Sequence, residues 1–255
     1  MLIVLGACGF ESFAVPADAA RDTTVRPPDA ANAADAAIDS PLTTNPPSIC
    51  DAADPNVIAC YRFDGDTKDS TTHHLDATMT GVTFPAGQVG QAMLFGATSA
   101  ADVADSPLFD VTALTLEAWI KPTQLPTNGN KAVILDVDRQ YSLFLHADGS
   151  LTCVLVNGPP MLLATTVHVK KNQWTHVACT YDGDAAAIYI DGVANSTAAG
   201  GSTLGTNGTT GMSIAADNPP GSGSPLIGLI DELRIMSAAR TATQICADAG
   251  KSSCP

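Results

Sequence analysis

Trp174 to Gly192 reads WTHVACTYDGDAAAIYIDG, and this run constrains the fold more than any other part of the chain. Apolar and polar residues alternate from Thr175 to Tyr181, and Asp182-Gly183 follows. Alternation resumes from Ala186 to Ile190 and stops at Asp191-Gly192. A period of two puts successive side chains on opposite faces of a strand, and Asp-Gly tolerates the positive φ of a tight hairpin. The run therefore reads as strand, turn, strand, turn. The pattern recurs along the chain. Val57 to Phe63 (VIACYRF) ends at Asp64-Gly65, and Thr112 to Ile120 (TALTLEAWI) ends at Lys121-Pro122. Ala132 to Val137 and Tyr141 to Leu145 follow, and Asp148-Gly149 leads into Leu151 to Val156. Ile214-Ala215 and Gly228 to Ile235 (GLIDELRI) complete the set. Many short strands at regular spacing predict an all-β, two-sheet antiparallel sandwich. Only Thr241 to Ala247 reads as helix. The loops 123–131, 157–166 and 195–224 are the most irregular, and binding often sits on such segments.

Composition agrees. Charged residues are 15% and aromatics 5% of the 255 residues, a mix that suits strands and turns better than long helices. The 26 acidic and 12 basic residues leave a formal charge of −14, and the only adjacent basic pair is Lys170-Lys171. Nucleic acid needs clustered cations, so it is set aside as a partner. Glutamate occurs only at Glu11, Glu117 and Glu232, so the acid is mostly aspartate, which favours turns and calcium shells.

The first residues differ from the rest. Leu5-Gly6-Ala7-Cys8 resembles a bacterial lipobox, with a branched aliphatic, two small residues and the cysteine that takes the lipid. Met1 to Leu5 is shorter than an ordinary signal core and no Lys or Arg precedes Cys8, so residues 1–8 read as a partial signal. Residues 9–49 are rich in Ala, Asp, Pro and Thr and lack apolar periodicity, which predicts a flexible linker reaching roughly 35 Å. Residues 50–255 read as the folded domain. The expected location is the bacterial cell envelope, as an outer-membrane or surface-anchored lipoprotein, or otherwise secretion, with membrane contact only through a lipid at Cys8.

Six pieces then carry a family resemblance: ACYRFDGDTKDS at 59–70, VGQAMLF at 89–95, LTLEAWIKP at 114–122, YSLFLHADGSL at 141–151, NQWTHVACTYDGDAAAIYIDGV at 172–193 and GLIDELRIMSAART at 228–241. In this order they resemble the laminin G-like, concanavalin A-like lectin/glucanase jelly rolls, in the bacterial version related to pentraxins. The resemblance implies that the first and last strands are neighbours. It also implies a structural calcium held by an acid of the first-strand loop and the acid of the IDE triplet. That points to Asp64 and Asp231, with Asp66 and Asp69 beside them. Trp119 and Trp174 fall in scaffold motifs of the family, while Tyr141 and Tyr189 are candidates for the concave side.

With Cys8 assigned to lipid, six of the seven cysteines remain. Local bridges Cys50–Cys60, Cys153–Cys179 and Cys246–Cys254 are the simplest pairing, and Cys153 would face Cys179 if their strands pair. The rival joins Cys50 or Cys60 to Cys246 or Cys254. No C-x₂-C zinc pattern occurs.

The fold also hosts glycosidases, which need two carboxylates flanking the scissile bond. No pair of glutamates alternates on one strand, Glu117 reads as scaffold, and Glu232 and Asp231 should point to opposite faces. Asp136 and Asp138 match by spacing alone. No Gly-x-Ser-x-Gly elbow occurs. His176 reads as structural and His73-His74 as a solvated loop. The expected function is a non-catalytic module binding a glycan or an extracellular protein. The alternatives are a structural or adhesive display protein, or a glycoside hydrolase-like enzyme.

Overall fold

The computed structural model describes residues 46–127, 130–137, 139–156, 161–199, 201, 203–206, 210–217 and 224–255. Cys8, the linker as far as residue 45, and Asp138 lie outside them. The strands in chain order are β1 (Val57–Tyr61), β2 (Thr78–Thr80), β3 (Met93–Phe95), β4 (Ala100–Val103), β5 (Leu114–Pro122), β6 (Lys131–Val137), β7 (Tyr141–His146) and β8 (Leu151–Leu155). They continue as β9 (Met161–Ala164), β10 (Thr175–Tyr181), β11 (Ala185–Ile190), β12 (Val193–Ala199), β13 (Met212–Ile214), β14 (Ser224–Pro225) and β15 (Gly228–Met236). One helix, α1 (Ala242–Asp248), follows, with Thr241 as its N-cap in a reciprocal capping box with Gln244.

The strands form two sheets. The first runs β1-β15-β5-β10-β11-β12, with β3 also on β15, and the second runs β2-β4-β13-β6-β7-β8-β9, with β14 beside β6. Neighbours pair antiparallel throughout except β14 on β6, which is parallel. Asp191 and Gly192 both take positive φ, 47° and 78°, the geometry a type I′ hairpin demands between β11 and β12. Between the sheets lies one core. Leu114, Leu116 and Ile120 of β5 and Val177 of β10 join Leu143 and Leu145 of β7 and Leu151 and Leu155 of β8. Each such side chain, fully buried, contributes about 1.5–3 kcal/mol.

All three local disulfides form: Cys50–Cys60, Cys153–Cys179 and Cys246–Cys254. The reason expected for the second is corrected. β8 and β10 belong to opposite sheets, so Cys153 and Cys179 meet across the core with Cα atoms 6.3 Å apart, not across a hairpin. Two expected loops also hold strands. β9 lies within 157–166, and most of β12 and all of β13 lie within 195–224.

The outward face of the first sheet is not a solvent face. Ile245 of α1 packs on Ala178 and Tyr189, and the Thr115 hydroxyl donates to the Ala238 carbonyl at 2.7 Å. The segment before β1 lies over the other end, where Arg234 donates to the Ile49 carbonyl. Trp119 is therefore fully buried although it alternates with the core residues of β5.

Candidate functional site

The first and last strands are neighbours. β15 pairs with β3 over Gly228–Ile230 and with β1 over Leu233–Met236, so its flank changes partner at residues 231–232. A bulge sits there, with Glu232 at φ 50°. It breaks the strict alternation that would send Asp231 and Glu232 to opposite faces. Each instead serves backbone N–H groups of a covering segment. Glu232 accepts from Ile49 at 2.8 Å and Cys50 at 3.1 Å, while Asp231 Oδ2 accepts from Gln88 at 2.8 Å and Val89 at 2.9 Å.

Asp231 and Asp64 converge on one turn. Asp64 leaves β1 and its Oδ1 accepts from the Gln91 N–H at 2.7 Å. Between them Gly87 N–H donates to the Gly90 carbonyl at 3.0 Å. Glycine is required at both ends of the turn. A Cβ on Gly87 would lie 2.5 Å from Asp231 Oδ2, and one on Gly90, at φ 59°, would lie 2.2 Å from Asp64 Oδ1. Asp231 is fully buried and its Oδ1 has no partner among the described residues. Burial, aided by the charge of Glu232 and opposed by the Val89 and Gln88 N–H groups, pushes its carboxyl up to about 7. An orphaned buried carboxylate oxygen is a feature that a bound cation would satisfy.

The other two acids have different surroundings. Asp69 is buried and spends both oxygens locally. Oδ1 accepts from the N–H groups of Cys60 and Thr71, and Oδ2 accepts from the Thr71 hydroxyl and Leu75 N–H. Asp66 is exposed and accepts from the Lys68 N–H at 3.1 Å. Among the described residues no three His, Cys, Asp or Glu side chains are grouped to hold a metal. A calcium here would draw further oxygens from backbone carbonyls and water, as hard cations do.

A buried ionic network went unread in the sequence. Glu117 Oε1 lies 3.0 Å from His176 Nε2, and its Oε2 accepts from Arg234 Nη2. Arg234 also reaches Asp248 Oδ2 at 2.7 Å, which Arg240 Nη2 pairs at 2.7 Å. Burial pushes the Glu117 carboxyl up, but the hydrogen bonds and charges of His176 and Arg234 outweigh it and hold the group below its ordinary value. A carboxylate–imidazole pair is also the chemistry of a general base, but Glu117 and His176 have no exposed side-chain surface.

The remaining candidates are placed as follows. Asp136 Oδ1 accepts from the Ser142 hydroxyl on the outward face of the second sheet. His73 and His74 are exposed. Tyr141 does not face outward: it sits in the core, with its hydroxyl donating to the Phe109 carbonyl at 3.1 Å. Tyr189 also misses the second sheet's outward face, because it belongs to the first sheet, beneath α1. Trp174 is half-buried with the Lys121 ammonium 5.9 Å from its ring centroid.

Residues 95–246 match the profile of Laminin_G_3, the concanavalin A-like lectin/glucanases superfamily, and the chain belongs to that family. Among solved structures it is similar to domain 4 of AbnA, a GH43 extracellular arabinanase from Geobacillus stearothermophilus in complex with arabinotriose. That likeness has a TM-score of 0.66 and 26% identity, and covers 76% of this chain and 98% of the domain. The binding domain of Paraclostridial Mosquitocidal Protein 1 shares the fold at TM-score 0.61 and 15% identity, over 75% of this chain and 51% of that one. A botulinum neurotoxin type C structure, described as dependent on two ganglioside molecules for cell entry, does so at TM-score 0.57 and 14% identity, over 75% and 50%. The chain thus spans about half the length of either toxin structure. No curated protein matches the chain significantly.

Proposed function

We propose that this chain is a non-catalytic carbohydrate-binding domain displayed at a bacterial cell surface. The observation that supports it most is the likeness to arabinanase domain 4 with its bound arabinotriose, at 26% identity over 98% of that domain. The enclosed Glu117–His176 pair agrees with a non-catalytic role, since no substrate reaches it. Titration calorimetry of the chain with arabinotriose, followed by a glycan panel, tests the reading. Saturable binding to a glycan is expected. A folded chain that ignores every glycan but retains one extracellular protein overturns it in favour of adhesion, and release of reducing sugar overturns the non-catalytic part.

Two further elements belong to the proposal. A calcium ion would be held by Asp64 and Asp231, with oxygens of the intervening turn, and would tie the loops after β1 and before β3 to β15. When bound it supplies positive charge to two carboxylates and no reaction chemistry. A lipid on Cys8 would anchor the linker to the membrane. Palmitate labelling that marks wild type but not Cys8→Ala is expected, and equal labelling of the two overturns the anchor.

A further inference from the structure

The outward face of the first sheet is covered by α1 and by the segment before β1, but not over its whole extent. α1 and the residues before it lie over Ala178 and Arg234 and stop short of the strands' far end. Thr180, Ala187 and Thr197 stand side by side on β10, β11 and β12 in the paired register. There a groove of about 330 Å³ opens between the sheet and the chain at Arg240–Ala242, with Tyr189 at its inner end and Asp182 at its rim.

The chemistry of this groove is unusual for the molecule. Thr115, on the same face of the sheet, spends its hydroxyl on the Ala238 carbonyl. Four groups lining the groove have hydrogen-bonding capacity left over. Among the described residues the hydroxyls of Thr180, Thr197 and Tyr189 carry no hydrogen bond, and Arg240 Nε is buried without a partner. The floor is methyl groups, Ala187 chief among them. Alanine here keeps the floor low, because any larger side chain on β11 would fill the space.

The occupant's charge follows from the walls. Asp248 already pairs the Arg240 guanidinium, and Asp182 is a carboxylate at the rim, so an anion gains little. Hydroxyl donors and acceptors around a small apolar floor match a neutral ring with vicinal hydroxyls and one apolar face. The volume lies at the lower end for small-molecule sites, about 300–1,000 Å³, which limits the guest to one or two rings.

We propose that this groove, on the outward face of the first sheet beside Arg240, is the subsite that takes a neutral sugar residue. The assignment rests on the carbohydrate-binding reading above and gives that reading a place.

The test uses the full chain with arabinotriose, the probe of the first experiment. In assigned amide spectra, titration is expected to shift residues 180–189, 197 and 239–242 and to leave the outward face of the second sheet, at Ser142 and Ser213, unmoved. The double variant Thr180→Val, Thr197→Val keeps β-branched side chains of the same size and removes two hydroxyls. It is expected to weaken binding by about tenfold or more, since each hydrogen bond is worth about 1 kcal/mol. Ser213→Ala, on the other sheet, is expected to change nothing. Wild-type binding with shifts confined to the second sheet, or binding that survives the double variant, overturns the groove and leaves the carbohydrate reading standing. A wild-type chain that gives neither heat nor shifts with arabinotriose and binds no glycan of the panel overturns both.

Discussion

Glu117 shows how far a single residue's position is legible and where legibility stops. The alternation of TALTLEAWI puts Thr115, Glu117 and Trp119 on one face of a strand, and the structure agrees. Their burial does not follow from that pattern. It comes from Arg234 on the neighbouring β15 and Asp248 on the covering α1, both over a hundred residues away in sequence. Spacing along one strand carries no information about what lies on top of it. Two ionised groups buried together depend on each other, because removing one leaves the other uncompensated. Glu117→Gln is expected to lower stability at pH 7 by about 3 kcal/mol, read by denaturant unfolding. The sign of the pH dependence follows from the depressed carboxyl. Its contribution is complete above the ordinary value of 4.5 and is lost as pH falls through the lower, folded value. The gap between wild type and Glu117→Gln should therefore narrow below pH 4.5. Asp248, pushed up by burial and by the Glu117 charge, loses the second of these in Glu117→Gln, so the gap reports on the Glu117–Arg234–Asp248 network as a unit. A gap that stays constant with pH would contradict the ionised pair.

At the scale of elements, the hairpin from β10 to β12 was the most legible part, since turn chemistry and alternation agree there. β4 and β13 run for only four and three residues, too short to display a period. β9 follows residues 157–160 in a stretch that reads as loop, yet it pairs with β8 over four residues. Edge strands of this kind take their structure from a neighbour. The disulfides were legible as pairs, but Cys153–Cys179 depends on sheet packing that sequence separation does not encode. That bridge crosses the core, so it fixes one sheet against the other. Replacing both cysteines by alanine is expected to cost about 3 kcal/mol, the chain-entropy value for a loop of this order, 26 residues. The double variant should keep its strand signal by circular dichroism. Ile245→Ala tests the other elemental contact. It removes the apolar contact of α1 with Ala178 and Tyr189 and is expected to cost about 2–5 kcal/mol in the same unfolding assay. Ile245→Ala should appear as a shifted midpoint with little change in slope, whereas loss of the bridge should also steepen the slope, because the unfolded chain without it exposes more surface.

At the scale of the whole molecule, β1 and β15 lie side by side, so the first and last strands close the first sheet together. Where β15 exchanges β3 for β1, backbone pairing is interrupted, and the Asp64–Asp231 turn fills the gap. The sequence pointed to these two acids through the resemblance, and the structure adds the partner that spacing could not supply, the glycine turn at 87–90. This junction joins three segments remote in sequence, so a cation there acts on the stability of the entire domain. A ligand that binds only the folded state stabilises it by RT ln(1 + [L]/Kd), about 2.7 kcal/mol at a hundredfold excess over Kd. Millimolar calcium is therefore expected to raise the melting temperature, and a chelator to reverse the rise. Asp64→Asn is expected to weaken the calcium-dependent increment while leaving the calcium-free midpoint near wild type, since Asp64 is exposed and accepts one N–H. Gly87→Ala should abolish the increment and lower the baseline as well, because its Cβ would lie 2.5 Å from Asp231 Oδ2 and 2.6 Å from the Gln91 backbone. A melting temperature indifferent to calcium and chelator in the wild type would remove the cation from the junction. It would leave the buried Asp231 carboxyl, pushed up to about 7, held by two backbone N–H bonds alone.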